Sequence, residues 1–189
     1  MSPSALILGK SEVVLADTVA ILQTKGYAAQ ATNLFDDAAT YFDLGRYDVV
    51  VFGGQVPPAT RERLSAEIRQ LNPSAALVNG LSGIAGLIAA QVEGAAAGQA
   101  AASDAAPGFD PVGRRITLSL NRSRTVTVTA WWPALVVPPD PKSDSLVLID
   151  GQRIDGELAI ALPDVVPQTA FVTVRLDDMV HAFRVETAA

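Results

Sequence analysis

The sequence contains no cysteine and a single histidine, His181, among its 189 residues. Without cysteine, disulfides, thiolate nucleophiles and thiolate metal sites are all excluded. With one imidazole there is no second histidine for a metal site, and no serine and acid pattern points to a catalytic triad. These absences fit a reducing compartment and leave few groups for catalysis.

Charge is also scarce, at 18% of residues, and the balance is acidic, with a formal net charge of −6. An acidic chain favours neither nucleic acid nor an anionic membrane surface as a partner. The four arginines at 114, 115, 122 and 124 form the one basic cluster, which we interpret as a solvated face. The start, "MSPSALILGKSE", has no basic region, and its apolar run is too short for a signal peptide or membrane span. We therefore expect a cytoplasmic protein.

The first ninety residues alternate strand and helix patterns. The strand patterns are "ALILG" (5–9), "YAAQAT", "YDVVVF" and "AALVNG". The predicted helices begin after Ser11, span about 35–44, follow Pro58, and cover "LSGIAGLIAAQVEG". Gly26 stands where a helix C-cap glycine belongs. Four βα units in series predict a doubly wound parallel sheet with strand order 2-1-3-4, in residues 1–93.

The second half changes composition and period. Residues 94–113 are rich in alanine, glycine and proline and predict a linker, whose alanines could extend the last helix or form a short one. From 114 to 189 six short runs of period two, separated by turn residues such as "NRS" and Asp177-Asp178, predict a small antiparallel β-sandwich. The fold class is thus α/β plus all-β. The β half looks like an immunoglobulin-like sandwich, with a partly open barrel as the alternative.

Residues 5–91 resemble the receiver domain of bacterial response regulators in the order and spacing of strands and helices, with Pro57 after the third strand. The resemblance implies an acceptor aspartate, which falls on Gly53, and acidic residues after the first strand, where this chain has Gly9-Lys10. Receivers carry a hydroxyl residue after the fourth strand, and this position corresponds to Asn79 or Gly80 here. They also carry a lysine on a fifth strand, and the sequence shows no fifth strand. The comparison implies a degenerate receiver in which aspartyl phosphorylation cannot occur.

Two phosphate-binding patterns are incomplete. "GKS" at 9–11 is similar to the end of a P-loop, but the glycine needed upstream is Ser4 and the intervening "ALIL" is a strand. Short-chain dehydrogenases are the rival resemblance, but the first turn has one glycine instead of three and no Tyr-x-x-x-Lys pair exists. A remnant dinucleotide or flavin cleft is the open alternative to a simple tight turn. Its candidate residues are Gly9, Lys10, Gly53, Gly54, Gln55, Asn79 and Gly80.

Three large side chains of the β half could lie either in its core or at a contact with a partner. If Asp177-Asp178 is a two-residue turn, Val174 pairs with His181, which then lies on an apolar face as a core or interface histidine. In "TVTVTAWWP", Trp132 shares a face with the valines and should fill the core, whereas Trp131 points the other way. A partly exposed indole is a candidate partner contact, with packing under the proline-rich loop at 138–141 as the alternative.

The missing fifth unit predicts an uncovered apolar strip. In a receiver-like sheet the first and fifth helices share one face, so strands three and four should lack cover there. The cover could be residues 95–106, the β half or a second subunit. Gly80, Gly83 and Gly86 would permit close backbone approach to a helix or sheet. We therefore expect a homodimer or an obligate protein partner.

Two functions from different classes follow from these patterns. The first is a non-catalytic, two-domain interaction or regulatory protein, whose α/β half serves as a dimerisation or docking platform and whose β half binds a partner. The second is a small enzyme or enzyme subunit that binds a nucleotide-type cofactor at the carboxyl edge of the parallel sheet. The sequence favours the first, with no catalytic residue, no metal and no required cofactor.

Overall fold

A computed structural model describes residues 2–98, 107–137 and 140–188. The chain divides into two compact units, residues 1–98 and 99–189, which are described separately. Residues 99–106 of the predicted linker, and 138–139 of the proline-rich loop, lie outside the described residues. None of the helices in the described ranges is long and apolar enough to span a bilayer.

The first unit alternates strands and helices. Its strands are β1 (Ser4–Leu8), β2 (Ala28–Thr32), β3 (Val49–Phe52) and β4 (Ala76–Asn79). Its helices are α1 (Glu12–Thr24), α2 (Ala38–Tyr41), α3 (Pro58–Leu71) and α4 (Ala85–Ala96), with 3₁₀ turns at Phe35–Asp37 and Leu44–Arg46. The strands form one parallel sheet of order β2-β1-β3-β4, which confirms the predicted topology.

Both faces of this sheet are covered, but not as the sequence predicted. Side chains of α2, α3 and their flanking turns pack on one face, around Leu6, Val50 and Phe52. On the other face α4 packs beside α1, so that Val49 and Val51 are fully buried. The prediction that strands three and four lack cover on the α1 side is therefore wrong. The last helix crosses to the side that a fifth helix would occupy, because its apolar positions find the exposed half of the sheet there.

The second predicted helix, about 35–44, is also wrong in its extent. Only Ala38–Tyr41 is α-helical, and 3₁₀ turns stand on either side of it. Asp43 explains the break, because its carboxylate accepts a hydrogen bond from the backbone N–H of Gly45 at 3.2 Å and starts a new turn. One helical turn covers far less of the sheet than a full helix would.

The second unit is one curled antiparallel sheet. Its strands are β5 (Gly108–Asp110), β6 (Arg115–Val137), β7 (Asp140–Ala161), β8 (Thr169–Leu176) and β9 (Met179–Glu186). The order is β5-β6-β8-β9, and β7 pairs with β6 along most of its length. The prediction of an antiparallel all-β half is confirmed. The inner face encloses one apolar core, which includes Ile116, Val128 and Val172.

Two long strands replace four of the six short runs that were predicted. The "NRS" segment is a shift of register inside β6 and not a turn between strands. Gly151 and Gly156, at φ of 58° and 70°, interrupt the regular backbone of β7 in the same way. Glycine and polar residues mark bulges as well as turns, so the sequence pattern does not separate the two. Both ends of the predicted linker are ordered, as α4 reaches Ala96 and β5 starts at Gly108.

Candidate functional site

The carboxyl edge of the parallel sheet brings three of the predicted residues into one row. Gly9, Gly53 and Gly80 follow β1, β3 and β4 directly. Each donates its N–H to the carbonyl of the neighbouring strand: Gly9 to Thr32 at 3.2 Å, Gly53 to Leu8 at 2.8 Å and Gly80 to Phe52 at 2.9 Å. Three adjacent strands thus end in residues without side chains.

Packing accounts for one of these glycines. A β-carbon on Gly53 would lie 3.0 Å from the carbonyl oxygen of Leu8 and 3.4 Å from the Cα of Gly9. On Gly80 it would lie 3.4 Å from the carbonyl oxygen of Phe52, which is an ordinary van der Waals contact. The position that corresponds to an acceptor aspartate is therefore crowded by the neighbouring backbone. Close strand packing is a sufficient reason for Gly53, and no ligand is needed to account for it.

The turn after β1 is filled by the protein itself. A β-carbon on Gly9 would already touch Leu15 Cδ2 at 3.4 Å. Ser11 caps α1 and accepts from the N–H of Val14 at 3.4 Å, whereas Lys10 is exposed. In the first turn of α1, Glu12 Oε1 accepts a hydrogen bond from Asn33 Nδ2 at 2.9 Å. A carboxylate held there opposes the binding of an anion at this helix start.

The loop after β3 is the open part of the edge. Gly53 accepts a hydrogen bond from Val56 N–H at 3.0 Å, so Gly53 to Val56 form a turn whose exposed tip is Gly54-Gln55. A β-carbon on Gly54 would have no atom within 4 Å. Arg61 Nη2 lies 3.4 Å from the carbonyl oxygens of both Gly53 and Val56. Arg61 was not predicted as a site residue, although it lies in the first turn of the helix that begins at Pro58.

A glutamine of α4 holds the loop after β4. Gln91 Nε2 donates to the carbonyl of Asn79 at 3.0 Å, and Gln91 Oε1 accepts from the N–H of Leu81 at 3.1 Å. One side-chain amide thus satisfies the last carbonyl of the edge strand and an N–H of the loop that follows it. The side chain of Asn79 remains exposed. Gln91 was also missed, although it is the one polar residue within the apolar run "GLIAAQV".

The carboxyl edge fits a dinucleotide poorly. The turn after β1 is packed against Leu15, the start of α1 carries Glu12, and β2 ends in Thr32-Asn33 with no acidic residue for a ribose. Across the described ranges, no group of three or more histidine, aspartate or glutamate residues is placed to hold a metal ion. What the edge offers a ligand is the open tip at Gly54-Gln55, the exposed Lys10 and Asn79, and the guanidinium of Arg61.

The predicted partner-binding residues belong to two different units. Trp131 lies in the second unit, half-buried, and its Nε1 donates to Thr173 Oγ1 at 2.9 Å. Trp132 packs against the core of that unit. Gly83 and Gly86 lie in the first unit, and a β-carbon on Gly83 would have no atom within 4 Å. The indole of Trp131 is thus satisfied by its own sheet.

The pairing predicted for His181 is confirmed. β8 and β9 pair with Val174 opposite His181 and Leu176 opposite Met179, around the turn at Asp177-Asp178. The imidazole is half-buried, and within the described part of the chain its buried Nε2 has no hydrogen-bond partner. Burial lowers the pKa of His181 below its ordinary value. The neutral imidazole therefore acts as part of an apolar surface.

A second concave surface lies at the opposite end of the parallel sheet. We call it the β2 groove. It has a volume of about 520 Å³ and is lined by Ser4, Gln23, Ala28, Ala29, Gln30, Tyr41, Phe42, Asp43, Arg46 and Tyr47. The hydroxyl of Tyr47 donates to Gln30 Oε1 at 2.5 Å, and burial raises the pKa of Tyr47 above its ordinary value. The groove was not predicted from the sequence, which indicated a full helix at about 35–44 beside it.

Comparison with known proteins assigns the chain to no family. A scan against protein-family models gives no match, and no curated protein sequence is similar to the chain.

Proposed function

We propose that the chain is a non-catalytic, two-domain interaction protein. Its degenerate α/β unit serves as a docking platform, and its antiparallel β unit binds a partner. The observation that carries the proposal is the row of glycines at the carboxyl edge. In doubly wound sheets catalytic and ligand-binding side chains project from this edge. Here a β-carbon on Gly53 would lie 3.0 Å from the Leu8 carbonyl oxygen, so a side chain would crowd the neighbouring strand.

The receiver-like interpretation of the α/β unit supports the same proposal. The strand order 2-1-3-4 agrees with that topology, but the unit ends after four strands. The α1–α4 pair completes the cover of the sheet and is tied by an ion pair from Lys25 Nζ to Glu93 Oε1 at 2.7 Å. A unit that keeps the scaffold while closing the acceptor position fits a role in recognition better than a role in phosphate transfer.

The cover provided by α4 changes the expected partner. An uncovered apolar face and the glycines at 80, 83 and 86 were the reasons to expect a homodimer or an obligate partner, and the first of these reasons is gone. We propose a different protein as the partner, with a second copy of the chain as the alternative. Light scattering on the full chain at micromolar concentration separates the two. A monomer without partner supports the first, and a dimer supports the second.

A second candidate function rests on the open tip at Gly54-Gln55. Gly54 and Gln55 are exposed, and Arg61 Nη2 lies 3.4 Å from the carbonyl oxygen of Gly53 in the same turn, so the tip could contact the phosphate of a nucleotide-type cofactor. The packed turn at Gly9 and the carboxylate of Glu12 oppose it, which is why we place it second.

A thermal-shift screen tests the two functions against each other. The ligands are nicotinamide dinucleotides, flavins, adenine nucleotides and S-adenosylmethionine. For an interaction protein we expect no shift with any of them. A rise of several degrees with one ligand, lost in Gly54→Val but kept in an exposed control such as Gln70→Ala, would overturn the first proposal and support the second.

A further inference from the structure

The sequence contains one asparagine that is followed by glycine, at Asn79-Gly80. The other asparagines precede Leu34, Pro73 and Arg122. An asparagine before glycine is chemically reactive, because the backbone nitrogen of the next residue can attack the carbonyl carbon of its side chain. Glycine leaves this nitrogen unshielded, since it has no β-carbon and a freely rotating backbone. A larger side chain hinders the attack, and a proline nitrogen has no proton to lose.

The fold leaves the side chain of Asn79 accessible. Asn79 is the last residue of β4, which is an edge strand of the parallel sheet, and the residue is exposed. Among the described residues, the hydrogen bond of Asn79 to a side chain uses its backbone carbonyl and leaves its own amide to solvent. The carbon that would be attacked, Asn79 Cγ, is therefore reachable by water and by a backbone nitrogen.

The fold restrains the attacking nitrogen instead. The N–H of Gly80 donates to the carbonyl of Phe52 at 2.9 Å. On either side of it, Gln91 bonds to the carbonyl of Asn79 at 3.0 Å and to the N–H of Leu81 at 3.1 Å. The nitrogen reaches Cγ after the peptide turns about the Cα–C bond of Asn79, which breaks these bonds. The reaction therefore requires a local opening of this edge, as hydrogen exchange does.

We propose that Asn79-Gly80 is a deamidation site whose rate is limited by the hydrogen bonds of Gln91. In the opened edge the Gly80 nitrogen gives its proton to a base and forms a bond to Asn79 Cγ. The Cγ–Nδ2 bond breaks, and the departing nitrogen takes up a proton and leaves as ammonia. One water molecule then opens the cyclic imide at either carbonyl. The products are aspartate, with a normal backbone, and isoaspartate, whose backbone runs through Cγ.

Isoaspartate changes the edge of β4 more than aspartate does. Its additional backbone carbon moves Gly80 out of register with Phe52, so the N–H of Gly80 can no longer keep its bond. Gln91 then loses one of the two groups that it bridges. Because the loss of ammonia is irreversible in water, the modified fraction grows with the time that the edge spends open. This modification goes beyond the proposed docking role and does not depend on it.

The experiment incubates the full chain at mildly alkaline pH and follows the mass of each asparagine-containing peptide with time. Deamidation exchanges an amide for a carboxyl group and therefore increases the mass of the peptide. We expect this increase at Asn79, with Asn33 and Asn121 unchanged over the same period. In urea, where the edge is open, Asn79 should react faster than in the folded chain.

Four proteins separate the chemistry from the restraint. Gln91→Leu should deamidate about fivefold faster than the parent when folded, because the bonds that favour the closed edge are lost. In urea the two should react at the same rate, since Gln91 has no contact to lose there. Gln70→Ala, exposed on α3, is the matched control and should keep the rate of the parent. Gly80→Ala should react severalfold more slowly in both states.

Three results would contradict the proposal. The first is an Asn79 that reacts no faster than Asn33 and Asn121 in the folded chain. The second is an equal rate for the folded parent and folded Gln91→Leu. If Gln91→Leu does not fold, Gly80→Ala and the parent decide, because a β-carbon on Gly80 meets no atom closer than 3.4 Å. The third is then an equal rate for Gly80→Ala and the parent, or for the parent in urea and in its folded state.

Discussion

The Cα of Gly53 faces the carbonyl oxygen of Leu8 so closely that a β-carbon would lie 3.0 Å from it. The same oxygen accepts the Gly53 N–H at 2.8 Å, which fixes β1 and β3 at this separation. A side chain at residue 53 must therefore move one of the two central strands of the sheet.

Substitution of Gly53 should destabilise the first unit. For Gly53→Ala we expect a loss of about 1–3 kcal/mol in the free energy of unfolding, since the added methyl meets backbone that cannot rotate away. Gly54→Ala is the matched control, because its β-carbon enters open space, and should change stability by less than about 0.5 kcal/mol. Urea unfolding measures both. Equal effects of the two substitutions would contradict the packing argument.

Removal of the Gln91 amide should loosen the loop after β4. Gln91→Leu leaves the carbonyl of Asn79 and the N–H of Leu81 without their partner. Because both groups lie near the surface, water replaces part of the loss, and we expect a cost of about 1 kcal/mol. Hydrogen exchange at the Leu81 amide should become faster. Gln70→Ala on α3 is the control, and an unchanged Leu81 amide in Gln91→Leu would exclude the proposed role.

The stability of the second unit should depend on pH through His181. Burial lowers its pKa from 6.5, so between the folded value and 6.5 the unfolded chain binds more protons than the folded one. The stabilising contribution is complete above that window and is lost as the pH falls through it. His181→Leu should remove this pH dependence while keeping an apolar side chain opposite Val174. A variant with the same pH profile as the parent would show that another group titrates.

The Trp131 indole should respond to the loss of its acceptor. In Thr173→Val the indole N–H loses its bond to Oγ1, and we expect a cost of about 1 kcal/mol. In a Trp132→Phe background, the fluorescence of Trp131 should also change in wavelength, because the polar contact is lost. Thr125→Val serves as control, because Thr125 is exposed and lies on β6, the strand that carries Trp131. Identical spectra for the two valine variants would argue against the hydrogen bond.

The sequence predicted the parallel sheet well, because its order depends on simple local signals. The run "VVVF" gives a strand buried on both faces, and Ser11 and Gly26 mark the ends of α1. The hairpin at Asp177-Asp178 was equally local. These elements were predictable because a few neighbouring residues determine them.

The missed features depend on contacts between distant segments. The side of the sheet that α4 covers is set by packing against α1, more than sixty residues earlier in the printed sequence. The continuity of β6 through "NRS" is set by its pairing with β7. Neither of these contacts leaves a periodic pattern in the sequence.

Because Gln91 bonds to Asn79 and Leu81, we expect α4 and residues 79–81 to detach from the sheet together. If α4 leaves the sheet, Ile88 and Val92 lose their cover at the same moment that Asn79 and Leu81 lose their partner. Partial detachment of this helix is therefore costly, and native-state fluctuations should release the helix and the loop together. The final βα unit would then exchange as one cooperative segment while β1 and β3 stay closed.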